Sequence, residues 1–154
     1  MFKEKKLPRK IDKYKLEKLD ISVADILLLK AGKDVVNEKG VLIRNEEATL
    51  DPPPARSYAY CSDTIYTPEI SKYFQGCDLL YHESTFLIDH EQRAKKTFHS
   101  TSKEAALMAK KAEAKQLLLG HFSARYTDLD AFLMEARPIF ENCLLATDCK
   151  KIKI

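Results

Sequence analysis

Four short apolar runs, "SYAYC" at 57–61, "CDLLYH" at 77–82, "KQLLLG" at 115–120 and "CLLAT" at 143–147, alternate with segments whose apolar residues recur at helical spacing. That alternation predicts an α/β layered architecture, because an apolar strand of this length must be buried in a sheet against helices. The intervening segments carry their own punctuation. "TPEISKYFQG" has Thr67 as a cap, Pro68 in the first helical position and Gly76 as a terminator, so a helix is expected there. "TSKEAALMAKKAEA" opens with the Thr101 and Glu104 pattern of a capping box, and its Ala105, Met108, Ala109 and Ala112 read as a core-facing stripe. "TDLDAFLMEARPIF" reads as a helix disturbed in its last turn by Pro138, and "KIKI" at 151–154 as a further closing strand.

Before Ser57 the pattern is different. "ISVADILLLKAGKD" predicts a short helix capped by Ser22 and stopped at Gly32, followed by two short strands about a turn at residues 37–40. Three successive prolines at 52–54 fit neither a helix interior nor a central strand. A boundary is therefore expected there, with residues 1–56 an accessory region and linker and residues 57–154 the core.

The first twenty residues hold eight Lys/Arg against four acids, about +4, while the whole chain of 154 residues is +3, so the remainder is close to −1. A basic segment on a nearly neutral body suits either a solvated face or contact with phosphates. Cys61, Cys77, Cys143 and Cys149 show no C-x-x-C pairing, which predicts reduced, mostly buried thiols and a cytoplasmic protein. No run approaches 18 apolar residues, so neither a membrane span nor an export signal is expected.

In α/β sheets the chemistry gathers at strand ends and the loops that follow. That rule selects Asp63 in "YCSDT", His82 and Glu83 in "LLYHESTF", and His121 with Arg125 in "GHFSARY"; His99 in "FHST" precedes a helix instead. Histidines and carboxylates converging on one sheet edge suit a metal cluster or acid/base catalysis. Each has a plainer reading. Asp63 could cap its own turn, His99 could be a surface residue, His82 could be a satisfied core partner of Glu83, and His90 reads as surface. As metal ligands Asp63 and His121 are only two; His99 or His82 could be a third, and no H-x-H or H-x-x-E-H pattern completes the set.

The ordered stretches "RSYAYCSDTIYTP", "GCDLLYHESTF", "FHSTSKEAA" and "LLLGHFSARY" closely resemble the C-terminal half of ribonuclease Z, the tRNA 3′-processing endonucleases of the metallo-β-lactamase superfamily. The resemblance implies the C-terminal half of an αβ/βα sandwich, in a family that is usually homodimeric, holds two zinc ions and clamps precursor tRNA with an arm. It implies that Asp63 bridges both zincs and that His121 binds the second. It implies that His99 is the general acid for the departing ribose 3′ oxygen, with Glu83 orienting it or relaying protons. Arg125, with Ser123 of the same H-F-S-x-R-Y motif, would hold the scissile phosphate while metal-activated water attacks phosphorus.

Two features of the family are missing. The H-x-H-x-D-H motif that supplies most zinc ligands occurs nowhere in the chain, and the Gly-Pro motif of the arm is replaced by "SVADILLL". The expectation is a C-terminal piece with a remnant of the arm region at 1–56, binding zinc weakly and inactive alone, with an exposed apolar face toward the missing N-terminal half. The alternative is a non-catalytic RNA-binding or regulatory module with a vestigial site. Another hydrolase of the same fold fits less well, because H-S-T and H-F-S-x-R-Y occur together.

Overall fold

A computed structural model describes residues 1–154. Two compact units are present, residues 4–55 and residues 1–3 with 56–154. The second unit is built on one five-stranded sheet. Its edge strand β1 (Phe2–Lys3) and β9 (Cys143–Leu145) flank β6 (Ser57–Cys61), β7 (Leu79–Glu83) and β8 (Leu117–Gly120) in the order β1-β6-β7-β8-β9. From β6 to β9 every pairing is parallel, and β1 is antiparallel to β6. Between these strands lie α4 (Glu91–Lys96), α5 (Ser102–Lys111) and α6 (Asp130–Ala136), so each apolar run of the sequence is a strand returning through helical chain.

The register explains where the core sits. Ala59, Leu80, Leu117 and Cys143 form one row across four strands, and because side chains alternate every residue they share a face. That face packs against Ala105, Met108 and Ala109 of α5 and Phe132 and Ala136 of α6, all fully buried. The α5 start follows the expected capping box, with the Thr101 hydroxyl receiving Glu104 N–H and the Glu104 carboxylate receiving Thr101 N–H. α6 ends at Ala136, before Pro138.

The opposite face has a different character. Tyr60, Tyr81, Leu118 and Leu144 make the corresponding row, with the Tyr60 and Tyr81 rings stacked at 4.7 Å. Tyr60 is exposed, Tyr81 and Leu144 are half-buried, and no helix of this unit covers them. Parallel sheets are ordinarily covered on both faces.

Residues 4–55 form a smaller unit. α2 (Val23–Lys30) is capped by Ser22 and Asp25 reciprocally and ends before Gly32, whose φ of +87° suits only glycine well. β3 (Val35–Val36) and β4 (Leu42–Ile43) form the expected hairpin, and β2 (Lys10–Ile11) pairs with β5 (Thr49–Leu50). Two short helices, α1 (Lys13–Leu16) and α3 (Asn45–Ala48), complete it around a small core of Leu29, Val35, Ile43 and Ala48.

Two expectations are corrected. Residues Pro68–Phe74 are a 3-10 helix, and Thr67 makes no side-chain cap, its hydroxyl instead donating to the Ile65 carbonyl. Beyond its end, Gly76 N–H is taken by the Ala112 carbonyl at 2.7 Å, which ties the exit of this segment to the end of α5. "KIKI" is not a strand, because the chain turns at Cys149 (φ +61°) and leaves the sheet after β9. All four cysteines are unpaired; Cys77 and Cys143 are buried, Cys61 is half-buried and Cys149 is exposed.

The N-terminal ends of β6 and β7 are tied together by Asp78. Its carboxylate accepts Lys115 Nζ at 2.6 Å and the N–H and hydroxyl of Ser57 at 2.7 and 2.6 Å. The Lys115 ammonium and then Ser57 hold this carboxyl down at about 2, against an ordinary 3.8. A depressed carboxyl contributes stability above its unfolded value and loses it as pH falls through its folded value. Asp78→Asn is therefore expected to cost about 1–2 kcal/mol at pH 7. In urea titrations the gap to the parent should narrow between pH 4 and pH 2; a gap of constant size would contradict the assignment.

Candidate metal and proton-transfer site

Because β6, β7 and β8 are parallel and in register, their C-terminal ends lie side by side, with Cys61 opposite His82 and Glu83 opposite Gly120. Asp63 follows β6, Glu83 closes β7 and His121 follows β8, while His99 arrives from the turn before α5. Ligand-type atoms of Asp63, Glu83, His99 and His121 all lie within 4.8 Å of one another. The backbone bends sharply to achieve this. Asp63 has φ +48°, His121 φ +60° and Phe98, just before His99, φ +59°, conformations that non-glycine residues adopt at an energetic cost and that gather at functional sites.

The four residues divide into two pairs. Glu83 is fully buried and saturated. Its oxygens accept the backbone N–H groups of Thr64 and Ser100, the Thr85 hydroxyl and His99 Nδ1 at 3.0 Å. Burial works against its charge, but the hydrogen bonds from Thr85, His99, Thr64 and Ser100 more than offset it and hold the carboxyl below its ordinary value. With Nδ1 directed at this carboxylate, His99 has Nε2 left to exchange a proton.

The second pair is open. Asp63 is 74% exposed, and its Oδ1 lies 3.1 Å from His121 Nε2. Two donors bound to one zinc at roughly 2.0–2.1 Å in tetrahedral geometry stand about 3.3 Å apart, so this spacing fits ligands of a shared ion. Glu83, by contrast, has no lone pair to spare. The residues present therefore fit part of a metal sphere, two donors, with further ligands required from elsewhere.

The remaining candidates fall around this edge. The Arg125 side chain donates from Nε to Ser123 Oγ at 3.1 Å and lies over the Phe86 ring at 5.1 Å; Phe86 also meets the His99 ring edge-on. Arg125 is exposed and Ser123 is half-buried. His82 stands apart from the cluster. It is fully buried, its Nδ1 donates to the Glu83 carbonyl at 2.7 Å and its Nε2 has no partner, while burial lowers its basicity and keeps it neutral. It is a wall residue, not a third ligand. Asp63 does not cap its turn: its carboxylate faces His121 Nε2 instead. His90 is not an isolated surface residue either: it packs between Phe86 and Tyr126.

Sequence reasoning missed Thr85 and Ser100, which supply two of the donors to Glu83 and are nearly or fully buried. Gly120 was also passed over as a mere strand end. A Cβ there would clash with the Tyr81 hydroxyl and lie 2.6 Å from its ring, directly before His121. Gly120→Ala should displace Tyr81 and cost about 1–3 kcal/mol. Denaturant melting would register the cost, and an unchanged midpoint would contradict the close approach.

Comparison with known proteins identifies relatives of the chain. Residues 49–122 match the β-lactamase superfamily domain. Ribonuclease Z of Cytophaga hutchinsonii is 48% identical over 151 residues, 96% of this chain and 47% of that protein. Ribonuclease Z of Phocaeicola vulgatus is 44% identical over 154 residues, 100% of this chain and 50% of that protein. The chain spans about half the length of the curated relatives it matches. Among solved structures, the metallo-β-lactamase fold protein YhfI from Bacillus subtilis matches with TM-score 0.54 and 27% identity, covering 64% of this chain and 39% of that one. A long form of RNase Z from yeast matches with TM-score 0.51 and 29% identity, covering 62% and 13% respectively.

Proposed function

The chain is related along its whole length to ribonuclease Z and carries part of a metallo-β-lactamase fold, and from that premise we propose that it supplies one side of the active centre of a zinc-dependent endoribonuclease that removes 3′ trailers from precursor tRNA. The observation that carries this reading is the convergence of Asp63, Glu83, His99 and His121 at the ends of three parallel strands. A zinc ion held there supplies Lewis acidity toward a phosphoryl oxygen and lowers the pKa of water.

The residues of the chain have separate tasks in this proposal. Asp63 and His121 are ligands. Buried Glu83 holds His99 by Nδ1, so that the proton on Nε2 is delivered to the departing 3′ oxygen of the ribose. Arg125 presents a planar charged fork to the scissile phosphate, with Ser123 steadying its Nε and Phe86 backing its guanidinium. In the unit of residues 4–55, Lys6, Lys30 and Arg44 line a cleft of about 740 Å³ together with Asp34 and Glu46, and these three cations are assigned to contacts with tRNA phosphates, Arg9 being paired with Asp51.

Two donors do not make a zinc site, so the remaining ligands belong to a complementary portion of the same family. The uncovered face carrying Tyr60, Tyr81 and Leu144 is where the second layer of the sandwich would sit. No helix is long and apolar enough to cross a membrane, and a cytoplasmic place of action is part of the proposal.

The test is incubation of the pure chain with zinc and a 3′-extended precursor tRNA. No trailer should be released, and the chain should self-associate through its uncovered face as concentration rises. Turnover by the pure chain would overturn the shared-centre reading. Retention of tRNA binding but no activity, when the complementary portion is supplied, would favour a regulatory module.

A further inference from the structure

Thr85 stands between the two pairs of the site. Its hydroxyl contacts Glu83 Oε2 and lies 2.8 Å from His121 Nδ1, and the residue is 6% exposed. A hydroxyl has one proton to give. Glu83 receives backbone N–H groups on both oxygens, from Thr64 on Oε1 and Ser100 on Oε2, and so acts as a carboxylate acceptor. The Thr85 proton therefore goes to Glu83. The contact with His121 then has only one possible sense: Nδ1–H donates to Thr85 Oγ. With its proton on Nδ1, His121 presents a bare lone pair at Nε2, the atom facing Asp63 Oδ1 at 3.1 Å. Two acceptors facing each other at that distance call for a cation between them, a shared proton or a metal ion.

We propose that Thr85 is the positioning residue that fixes His121 in the Nδ1–H tautomer and so readies Nε2 to bind the metal. The inference rests on the metal-site reading above and adds a residue to it. Through this one hydroxyl the carboxylate that holds the proton-transfer histidine also orients the metal-binding histidine. Outer partners of this kind typically govern metal affinity by 10–100-fold. The backbone role of Thr85 is separate: its carbonyl accepts Ser123 N–H at 3.1 Å, and that bond survives any side-chain change.

Thr85→Val removes the hydroxyl at nearly constant volume, while Thr85→Ser keeps it. Long-range proton–nitrogen NMR correlations on the metal-free chain at pH 8 read the tautomer of His121 directly. The Nδ1–H form is expected in the parent and in Thr85→Ser, with a shift toward the Nε2–H form, the usual one in water, in Thr85→Val. Equilibrium dialysis against zinc, with the complementary portion of the centre supplied, should show Thr85→Ser binding like the parent and Thr85→Val binding roughly 10–100-fold more weakly. An Nδ1–H tautomer unchanged in Thr85→Val would overturn the proposal, as would unchanged zinc affinity in that variant. A parent that shows the expected tautomer dependence but takes up no zinc even with the complementary portion supplied would instead overturn the metal reading beneath it.

Discussion

His99→Ala is expected to lower kcat about 10²- to 10⁴-fold when the chain is assayed as a chimera in place of the matched 151 residues of the Cytophaga hutchinsonii ribonuclease Z. The magnitude follows from the geometry of the Glu83–His99 pair. Glu83 is fully buried and engages His99 Nδ1 at 3.0 Å, so the ring is held in one orientation with Nε2 as its only proton donor toward substrate. If His99 is the acid, losing the ring removes proton delivery to the departing 3′ oxygen while leaving Arg125 and Ser123 in place, so KM should move little. A substrate with sulfur in place of that oxygen leaves without needing a proton. It should be cleaved by the variant at close to the parental rate, which a merely structural role for His99 would not allow. Equal losses on both substrates would contradict the assignment of His99 as the acid.

The largest expected effect on stability is at Glu83. Glu83→Leu fits the apolar surroundings of β7 but strands the backbone N–H groups of Thr64 and Ser100 inside the protein, along with the Thr85 hydroxyl and His99 Nδ1. Each stranded donor costs about 1–3 kcal/mol, and some relax toward other partners, so a total of roughly 3–5 kcal/mol is expected. Glu83→Gln keeps a carbonyl acceptor and should cost about 1–2 kcal/mol. Urea unfolding of the two variants side by side measures the difference. A Glu83→Leu loss below that of Glu83→Gln would show that the donors are satisfied by water and that Glu83 does not organise this edge.

The strands were legible because their apolar runs are short, strand-rich and bounded, and the α5 cap because Thr101 and Glu104 sit at a spacing that nothing else demands. The segment at Pro68–Phe74 misled because Pro68 at a helix start and Gly76 beyond its end suit a 3-10 helix equally well. Residues 151–154 misled because alternating Lys and Ile satisfy a strand pattern without any neighbour to pair with. At the site, Asp63, Glu83, His99 and His121 could be named from strand ends and motifs, but not divided into pairs. That division depends on burial: Glu83 is fully buried and Asp63 is 74% exposed. Thr85 was invisible for the same reason, since a threonine beside a glutamate carries no mark of the histidine that folding brings to its hydroxyl from 36 positions away.

On the proposed function, Asp63 and His121 are two ligands of a metal whose remaining ligands come from the complementary portion of the family. The most direct test is zinc-dependent release of the 3′ trailer from precursor tRNA by the chimera, compared with the same chimera carrying Asp63→Ala. Cleavage that requires zinc and disappears with Asp63→Ala, in a protein that remains folded, is the expected result. Cleavage at the parental rate by the Asp63→Ala chimera would contradict it.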